Sequence, residues 1–176
     1  MLMFNINNLE NEEIYIKDVT PRELTQILKW YNKIDDFKFA TGIIEPISID
    51  LLFQKYAEAI ISRDEFFVGI HSKADQKMIG TIKGRIHNRK RGSIWINSMI
   101  IDNAYQNAGI GSSSICLLFK HLKDAICARS VFLSVIESNF RGVGFWTKHG
   151  FREFRKIEGC MRLQEEQTVL IMRRDL

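Results

Sequence analysis

The residues most suited to chemistry lie in a glycine loop between an apolar run and a helical pattern. The loop reads Gln106-x-x-Gly109-x-Gly111 and closely follows the apolar run that ends at Ile101. Glycines let the backbone approach a phosphate group, and the free N–H groups and dipole at a helix start favour its negative charge. The segment therefore predicts a pyrophosphate site, although a tight strand-to-helix turn without a ligand would use the same residues.

Two common phosphate-binding motifs are excluded by the same segment. A P-loop would have a lysine followed by serine or threonine after the glycines, whereas Gly111 is followed by Ser112 and Ser113. The dinucleotide fingerprint Gly-x-Gly-x-x-Gly is absent, and the strand before the loop comes late in the chain instead of opening a domain. The loop therefore needs support from other parts of the sequence.

Composition indicates one globular domain over residues 1–176, with 45% apolar and 26% charged residues. Since no apolar run approaches the length of a membrane helix and the first residues lack a signal-peptide layout, we predict a cytoplasmic protein without a membrane partner. The net charge of +4 suits an anionic ligand but does not require nucleic acid. We expect no nucleic-acid partner, because Arg89-Lys90-Arg91 is a short basic cluster typical of a solvated turn.

The cysteines predict no metal site and no disulfide. Cys116, Cys127 and Cys160 are odd in number and lack metal-ligand spacing. They are typical of reduced thiols in a cytosolic protein.

Apolar periodicity and turn residues predict the elements that would position the loop. After a strand at Glu13–Val19, the residues Thr20-Pro21-Arg22-Glu23 form a helix start with a capping box. Asn32–Pro46 is predicted to be a loop, and Ser48 to cap a second helix with Leu52, Tyr56, Ala59 and Ile60 on its apolar face. The remaining expected elements are strands at Phe66–His71, Met78–His87 and Ser93–Ile101, a helix after the glycine loop, a strand at Val131–Val135, a helix at Arg141–Lys148, and strands at Phe151–Ile157 and Thr168–Arg173.

In four respects the chain resembles the GNAT superfamily of acetyl-CoA-dependent N-acetyltransferases. The glycine loop matches the pyrophosphate motif of that family, and Asn139 follows a strand as in the family pattern. The segment Phe145-Trp146-Thr-Lys148-His-Gly150-Phe151 is similar to the aromatic segment that comes next. The order of elements agrees from about Glu13 to the end of the chain. The resemblance implies an α/β (α+β) fold whose mixed, mostly antiparallel sheet has about seven strands and helices on both faces.

The resemblance also implies where acetyl-CoA, the expected co-substrate, would bind. The strand that ends at Ile101 would splay from the strand at Val131–Val135, and its backbone at Met99, Ile100 and Ile101 would pair with the pantetheine arm. The residues that would surround the pyrophosphate are Gln106, Asn107, Ala108, Gly109, Ile110, Gly111 and Ser112.

The segment that follows the strand at Val131–Val135 would contact the pantetheine arm through three residues. Asn139 would hydrogen-bond the pantetheine, and it is equally suited to cap the helix that follows. Phe145 and Trp146 would pack on the thiol end, with a plain core position as the alternative for Phe145.

The chemistry of acetyl transfer requires a neutral amine, although an alkylamine has a pKa of about 10. The protein must therefore help to remove a proton, and a backbone N–H at Ile101 is the candidate donor to the oxyanion. The tyrosine that many family members use as an acid is replaced by Trp146. Glu137 is the nearest acidic candidate for a base, unless it is a solvated residue at a strand end. No carboxylate occurs on the expected strand face formed by Trp95, Asn97, Met99 and Ile101.

The acceptor site of this family is usually lined by the first two helices and their connection. Here the connection holds Asp35, Asp36 and Glu45 among Phe37 and Phe39, which predicts a cationic amine with an apolar part, or else a solvated loop. Two functions remain open. One is an enzyme that acetylates a primary amine of a small molecule or a protein N-terminus, with a homodimer possible. The other is a non-catalytic sensor or interaction module that binds acyl-CoA.

Overall fold

A single mixed sheet of eight strands organises the residues that this computed structural model describes, which are Ile6 and residues 8–176. The strands are β1 (Leu9–Glu10), β2 (Ile14–Asp18), β3 (Glu65–Ser72), β4 (Met78–Asn88), β5 (Ser93–Ile101), β6 (Ser130–Ile136), β7 (Arg152–Arg162) and β8 (Glu165–Asp175). Their order across the sheet is β1-β2-β3-β4-β5-β6-β8-β7. Among the described strands, β5 and β6 are parallel and all other neighbours are antiparallel. The predicted fold class is confirmed, and the short β1 brings the strand count to eight instead of about seven.

Helices cover both faces of the sheet. The α-helices within the described residues are α1 (Leu24–Tyr31), α2 (Ile34–Thr41), α3 (Ile49–Ile61), α4 (Ile110–Ile126) and α5 (Phe140–Lys148). The first three pack over one core cluster that includes Trp30, Phe37 and Ile100. On the opposite face α4 inserts Ile115 and Leu118 into a larger cluster, against which α5 also packs. No helix in the described part of the chain is long and apolar enough to span a membrane.

The predicted caps position the first helices. The backbone N–H of Thr20 donates to Glu23 Oε2 at 2.7 Å, at the start of the helical segment that continues as α1. Ser48 Oγ accepts from the Leu51 N–H at 3.2 Å and begins α3. On α3, Ile60 was expected in the apolar face, but its side chain is 49% exposed.

The expected loop at Asn32–Pro46 is wrong, because α2 lies within it. This helix buries one residue, Phe37, and its apolar spacing of Ile34, Phe37 and Ala40 covers too few turns to predict a helix from the sequence. It ends at Gly42, whose φ of 70° lies in the left-handed region that glycine tolerates best.

Candidate active site

A cleft of about 780 Å3 opens where β5 and β6 separate. The two strands pair in parallel from Ser93–Ser130 to Ile96–Leu133, and within the described residues no further pair follows toward their C-terminal ends. The cleft is lined by the unpaired parts of both strands together with the glycine loop, α2 and α5. The splay that the family resemblance implied is therefore present, and β5 has no neighbouring strand on this edge from Asn97 to Ile101.

The backbone N–H and C=O groups of successive β5 residues point alternately toward β4 and toward the cleft. The Asp102 N–H donates to a carbonyl at the start of β4 at 2.8 Å, and Ile100 lies opposite Thr81 of β4. Because hydrogen-bonded and non-hydrogen-bonded pairs alternate along an antiparallel ladder, Ile100 directs its backbone polar groups to β4. Met99 and Ile101 direct theirs toward the cleft. Of the three backbone positions expected at the pantetheine arm, Met99 and Ile101 fit, and the backbone of Ile100 does not.

A β-bulge changes which residues of β5 share a face. The register of β4 and β5 shifts between Ile96 and Ser98, so Asn97 is an extra residue. Beyond the bulge, Met99 packs on the same core cluster as Ile96. The single face expected to carry Trp95, Asn97, Met99 and Ile101 is therefore wrong, since Trp95 lies on the face opposite to Met99. Neither face of β5 carries a carboxylate.

The glycine loop leads into the start of α4. Gly109 is the N-cap with a φ of 82°, and a Cβ atom placed on it would meet no heavy atom within 4 Å. The Ser113 N–H donates to Gly109 O at 3.0 Å, whereas the N–H groups of Ile110, Gly111 and Ser112 precede the first bond within the helix. Free N–H groups facing open space are the arrangement that holds a phosphate group.

Most of the loop residues expected at the pyrophosphate line the cleft. Ala108 is exposed outside it, and the side chain of Ile110 is buried in the core, so these two could contribute only their backbone N–H groups. A Cβ atom on Gly111 would lie 3.2 Å from the ring of Phe145, so α4 and α5 approach closely here. The loop residues that do line the cleft are Gln106, Asn107, Gly109, Gly111 and Ser112.

Gln106 connects the loop to its neighbours. Its Nε2 atom donates to Ile101 O at 2.7 Å and to Asn103 Oδ1 at 2.9 Å. Its Oε1 atom accepts from Arg141 Nη2 at 2.6 Å. Because these bonds already involve both polar atoms of the amide, the side chain positions the loop. Arg141 lines the cleft and was not expected from the sequence, since no motif points to it.

Helix α5 forms the opposite wall of the cleft. Asn139 lines the cleft and caps α5, because its Oδ1 atom accepts from the Gly142 N–H at 3.0 Å. Phe145 and Trp146 also line the cleft, with ring centroids 5.0 Å apart, and both pack against the larger core cluster. The core and site interpretations of these residues are thus compatible.

A second contact joins α5 to the loop at its far end. Ser112 Oγ and His149 Nε2 are 3.0 Å apart. Burial, with the positive charges of Arg174 and Lys148, lowers the pKa of His149, which favours the neutral form of the ring. The loop is therefore held to α5 at Gln106 and again at Ser112.

Helix α2 contributes a further part of the cleft wall. Asp36 lines it beside Phe37 and Phe39, and its Oδ2 atom accepts from Asn103 Nδ2 at 2.7 Å. Asp35 and Glu45, which were expected beside it, are exposed and do not line the cleft. Among the described residues that line the cleft, Asp36 is the single carboxylate.

Glu137 lies outside the cleft. Its Oε1 atom is 2.8 Å from Lys156 Nζ, and its side chain is 44% exposed. This position favours the solvated strand-end interpretation over the catalytic base that the sequence suggested. No tyrosine lines the cleft either, since Tyr105 donates to Asp75 Oδ2 at 3.0 Å outside it.

A family model for the acetyltransferase (GNAT) family matches residues 24–151, well over half of the chain. The chain belongs to this family. The match contains α1, the glycine loop and α5, and it confirms the family predicted from the sequence. Membership also supports the predicted class of acyltransferase with acetyl-CoA as co-substrate.

Two curated relatives are similar in sequence to about half of this chain. The spermine/spermidine N(1)-acetyltransferase of Bacillus subtilis (strain 168) is 26% identical over 88 residues, which are 48% of this chain and 58% of that protein. The probable spermine N(1)-acetyltransferase of Bacillus subtilis subsp. natto matches to the same extent. The chain thus spans 58% of the length of these relatives.

Solved structures share the fold over nearly the whole chain. A spermidine N-acetyltransferase from Vibrio cholerae, in complex with CoA and spermine, has a TM-score of 0.80 at 20% identity, covering 94% of this chain and 96% of that one. A GCN5-related N-acetyltransferase from Brucella melitensis has a TM-score of 0.79 at 12% identity, covering 96% and 78%. At these identities the likeness establishes the fold.

Proposed function

We propose that this protein is an N-acetyltransferase that transfers the acetyl group of acetyl-CoA to a primary amine of a small polyamine. The observation that carries the proposal is the layout of one cleft. The free N–H groups at the start of α4, the open backbone edge of β5 and the carboxylate of Asp36 all line this cleft. An anionic cofactor and a cationic acceptor would each meet opposite charge.

The cleft suits the parts of acetyl-CoA. When bound, acetyl-CoA supplies an acetyl thioester on a pantetheine arm that ends in phosphates. The open space beside Gly109 fits a phosphate group, and Met99 and Ile101 offer backbone groups that an extended amide arm can pair with. Phe145 and Trp146 provide an apolar wall beside the same edge.

The transfer needs a neutral amine and a stabilised oxyanion. The amine nitrogen forms a bond to the carbonyl carbon, the carbon–sulfur bond breaks, and the proton lost by nitrogen passes to water or to the departing thiolate. A backbone N–H of Met99 or Ile101 is suited to donate to the oxyanion. Glu137 is not part of this proposal, because it pairs with Lys156 outside the cleft.

A polyamine is the acceptor class that the cleft favours. Asp36 would attract a second ammonium group of the acceptor, while Phe37 and Phe39 would contact its methylene chain. The relatives that act on spermine or spermidine by name support this choice. A protein N-terminus remains the alternative acceptor, and the cytoplasmic location and the homodimer remain predictions.

Thiol release from acetyl-CoA with a panel of amines tests the function and its substrate class. We expect turnover with spermine and spermidine, weaker turnover with a monoamine, and little with a peptide N-terminus. If the protein binds acetyl-CoA but releases no thiol with any amine, it is a non-catalytic acyl-CoA-binding module instead.

Binding of acetyl-CoA is predicted to depend on the backbone at Gly109. Gly109→Glu should abolish binding, because the new side chain enters the open space and adds a negative charge beside the phosphates. Gly42→Glu is a matched control, since Gly42 also has a positive φ and open space but lies outside the cleft. Calorimetry that gives the same affinity for Gly109→Glu and the wild type would refute the loop as the phosphate site.

A further inference from the structure

The cations of α5 have no carboxylate partners. Arg141 and Lys148 both line the cleft, and neither forms an ion pair with any residue that the structure describes. Since they are seven residues apart, they lie on one face of the helix. Among the described residues the lone carboxylate of the cleft, Asp36, belongs to α2. Two unpaired cations on one wall of a cleft indicate an anionic ligand.

Arg141 of α5 and the residue that follows α5 contact the two ends of the glycine loop. Arg141 Nη2 donates to Gln106 Oε1 at 2.6 Å, at the first residue of the loop. His149, next to Lys148 in sequence, contacts Ser112 Oγ at 3.0 Å, at the last residue. Lys148 lines the same cleft as Arg141 and the glycine loop, so both positive charges belong to the cavity that contains the start of α4.

We infer that Arg141 and Lys148 bind the phosphates of the cofactor, with Arg141 as the stronger contact. This inference rests on the proposed function and adds two side chains to a site that otherwise consists of backbone N–H groups. One guanidinium N–H is held by Gln106, which limits the orientation of the group and leaves its other donors for phosphate oxygens. Lys148 acts as a point charge without such a constraint.

The arrangement also connects the phosphate site to the reacting end of the cleft. Gln106 bonds Arg141 through Oε1 and the Ile101 carbonyl, the end of β5, through Nε2. A phosphate held by Arg141 would therefore be tied through one side chain to the strand that faces the thioester. Loss of Arg141 should weaken CoA binding more than loss of Lys148, because it also frees Gln106.

Calorimetric titration of CoA into matched variants tests the inference. Arg141→Gln should weaken CoA binding about tenfold and Lys148→Gln about threefold. Arg141→Lys should fall between Arg141→Gln and the wild type, because it keeps the charge but not the planar donor group. The control is Arg155→Gln on β7, which removes the same charge from an exposed residue outside the cleft and should change affinity less than twofold.

Phosphate-free and salt-dependent measurements identify the cause. The loss of turnover in Arg141→Gln relative to the wild type should be smaller with acetyl-pantetheine, which has no phosphates, than with acetyl-CoA. The salt dependence of CoA binding should be shallower in Arg141→Gln, because fewer charge contacts form. Equal losses in Arg141→Gln and Arg155→Gln, or an equal loss with acetyl-pantetheine, would overturn the inference.

The outcomes separate this inference from the proposed function. If the wild type binds CoA but acetylates no amine, the proposed function fails while the affinity comparison still decides the role of Arg141. If the wild type acetylates polyamines and Arg141→Gln binds CoA normally, only the inference fails. If the wild type binds no CoA, both fail.

Discussion

Trp146 occupies the position where the family resemblance leads one to expect a tyrosine acid. Its ring packs edge-on against Phe145 and Phe151, with centroid distances of 5.0 Å and 5.2 Å. An indole N–H is a hydrogen-bond donor but does not give up its proton at neutral pH. The contacts of Trp146 therefore indicate a packing role in the wall of the cleft.

Trp146→Phe should retain most of kcat, because the apolar contact survives and a thiolate leaving group with a pKa near 8.5 needs little protonation. Steady-state kinetics at saturating acetyl-CoA, with calorimetric affinity for CoA as the control, measures this. A hundredfold loss of kcat with intact CoA affinity would contradict the prediction and give the indole a chemical role.

Asp36→Asn should raise KM for spermidine about tenfold and leave KM for a neutral-tailed monoamine within twofold, because Asp36 is the carboxylate that lines the cleft. Asp35→Asn is the matched control, since its side chain is one residue away, exposed and outside the cleft. Equal effects of Asp36→Asn on both amines would show that Asp36 does not recognise the acceptor's charge.

The expected residues that line the cleft most directly are those whose position depends on the backbone. Gly109 and Gly111 carry a spacing that dictates local conformation, so their place follows from the sequence. Arg141 and the choice of Asp36 over Asp35 and Glu45 depend on which way a side chain points. No local pattern encodes that direction, and it emerged only from the packing of α5 and α2.

At the scale of elements, the side chain of Glu23 attaches the helical segment that continues as α1 to the sheet. Glu23 accepts from Thr20 at the helix start, and its Oε1 atom lies 2.6 Å from Nε2 of the buried His71 on β3. Burial alone would raise the pKa of Glu23, but the hydrogen bonds from His71 and Thr20 outweigh it and lower the pKa to about 2. One carboxylate therefore joins the cap of the first helical segment to the third strand.

Glu23→Gln should destabilise the protein at pH 7, and by less at pH 3. The carboxylate has a pKa near 4.5 when unfolded and about 2 when folded, so its stabilisation is complete above pH 4.5 and is lost as pH falls toward 2. Urea unfolding at both pH values, with the exposed Glu12→Gln as control, measures the difference. A stability loss in Glu23→Gln that is the same at both pH values would contradict the linkage.

Strands with clear alternation were predicted closely, and β5 was predicted with its observed bounds at Ser93–Ile101. The β7–β8 hairpin extends further than expected, because β7 is exposed along most of its length and shows no apolar period. Its turn uses Leu163 and Gln164, both with positive φ, in place of the Asn-Gly or Asp-Gly pair that signals such a turn. The bulge at Asn97 likewise has no local sequence signal and depends on pairing with β4.

At the scale of the whole molecule, the charges are arranged along the cleft. Arg141 and Lys148 lie on the wall formed by α5, and Asp36 lies on α2, which packs against the other face of the sheet. The gap between β5 and β6 opens a passage between the two faces of the sheet, because strand pairing stops there. The fold thus brings Arg141 and Lys148 into one cleft with Asp36, although both lie more than a hundred positions after it in sequence.

None of the four tyrosines of the chain lines this cleft, which determines the expected pH profile. Burial raises the pKa of Tyr31 to about 12, and Tyr56 donates to the Val19 carbonyl at 3.1 Å in the core. Tyr15 and Tyr105 donate to Gln76 and Asp75 away from the site. The protein therefore lacks a phenol that could protonate the thiolate.

Because no tyrosine acid lines the cleft, deprotonation of such an acid cannot lower the rate at high pH. We therefore expect kcat at saturating acetyl-CoA to rise with pH as more of the bound amine becomes neutral. It should follow one apparent pKa and show no descending limb below about pH 9.5, given a tyrosine reference near 10. A descending limb between about pH 8 and 9.5 that persists in Trp146→Phe would require an acid elsewhere in the cleft.

The rising limb of the same profile tests whether Asp36 acts as the base. We expect Asp36→Asn to keep the apparent pKa of that limb, because the limb reports the amine itself and the carboxylate serves recognition. A shift of that apparent pKa in Asp36→Asn would instead indicate that Asp36 acts as the base.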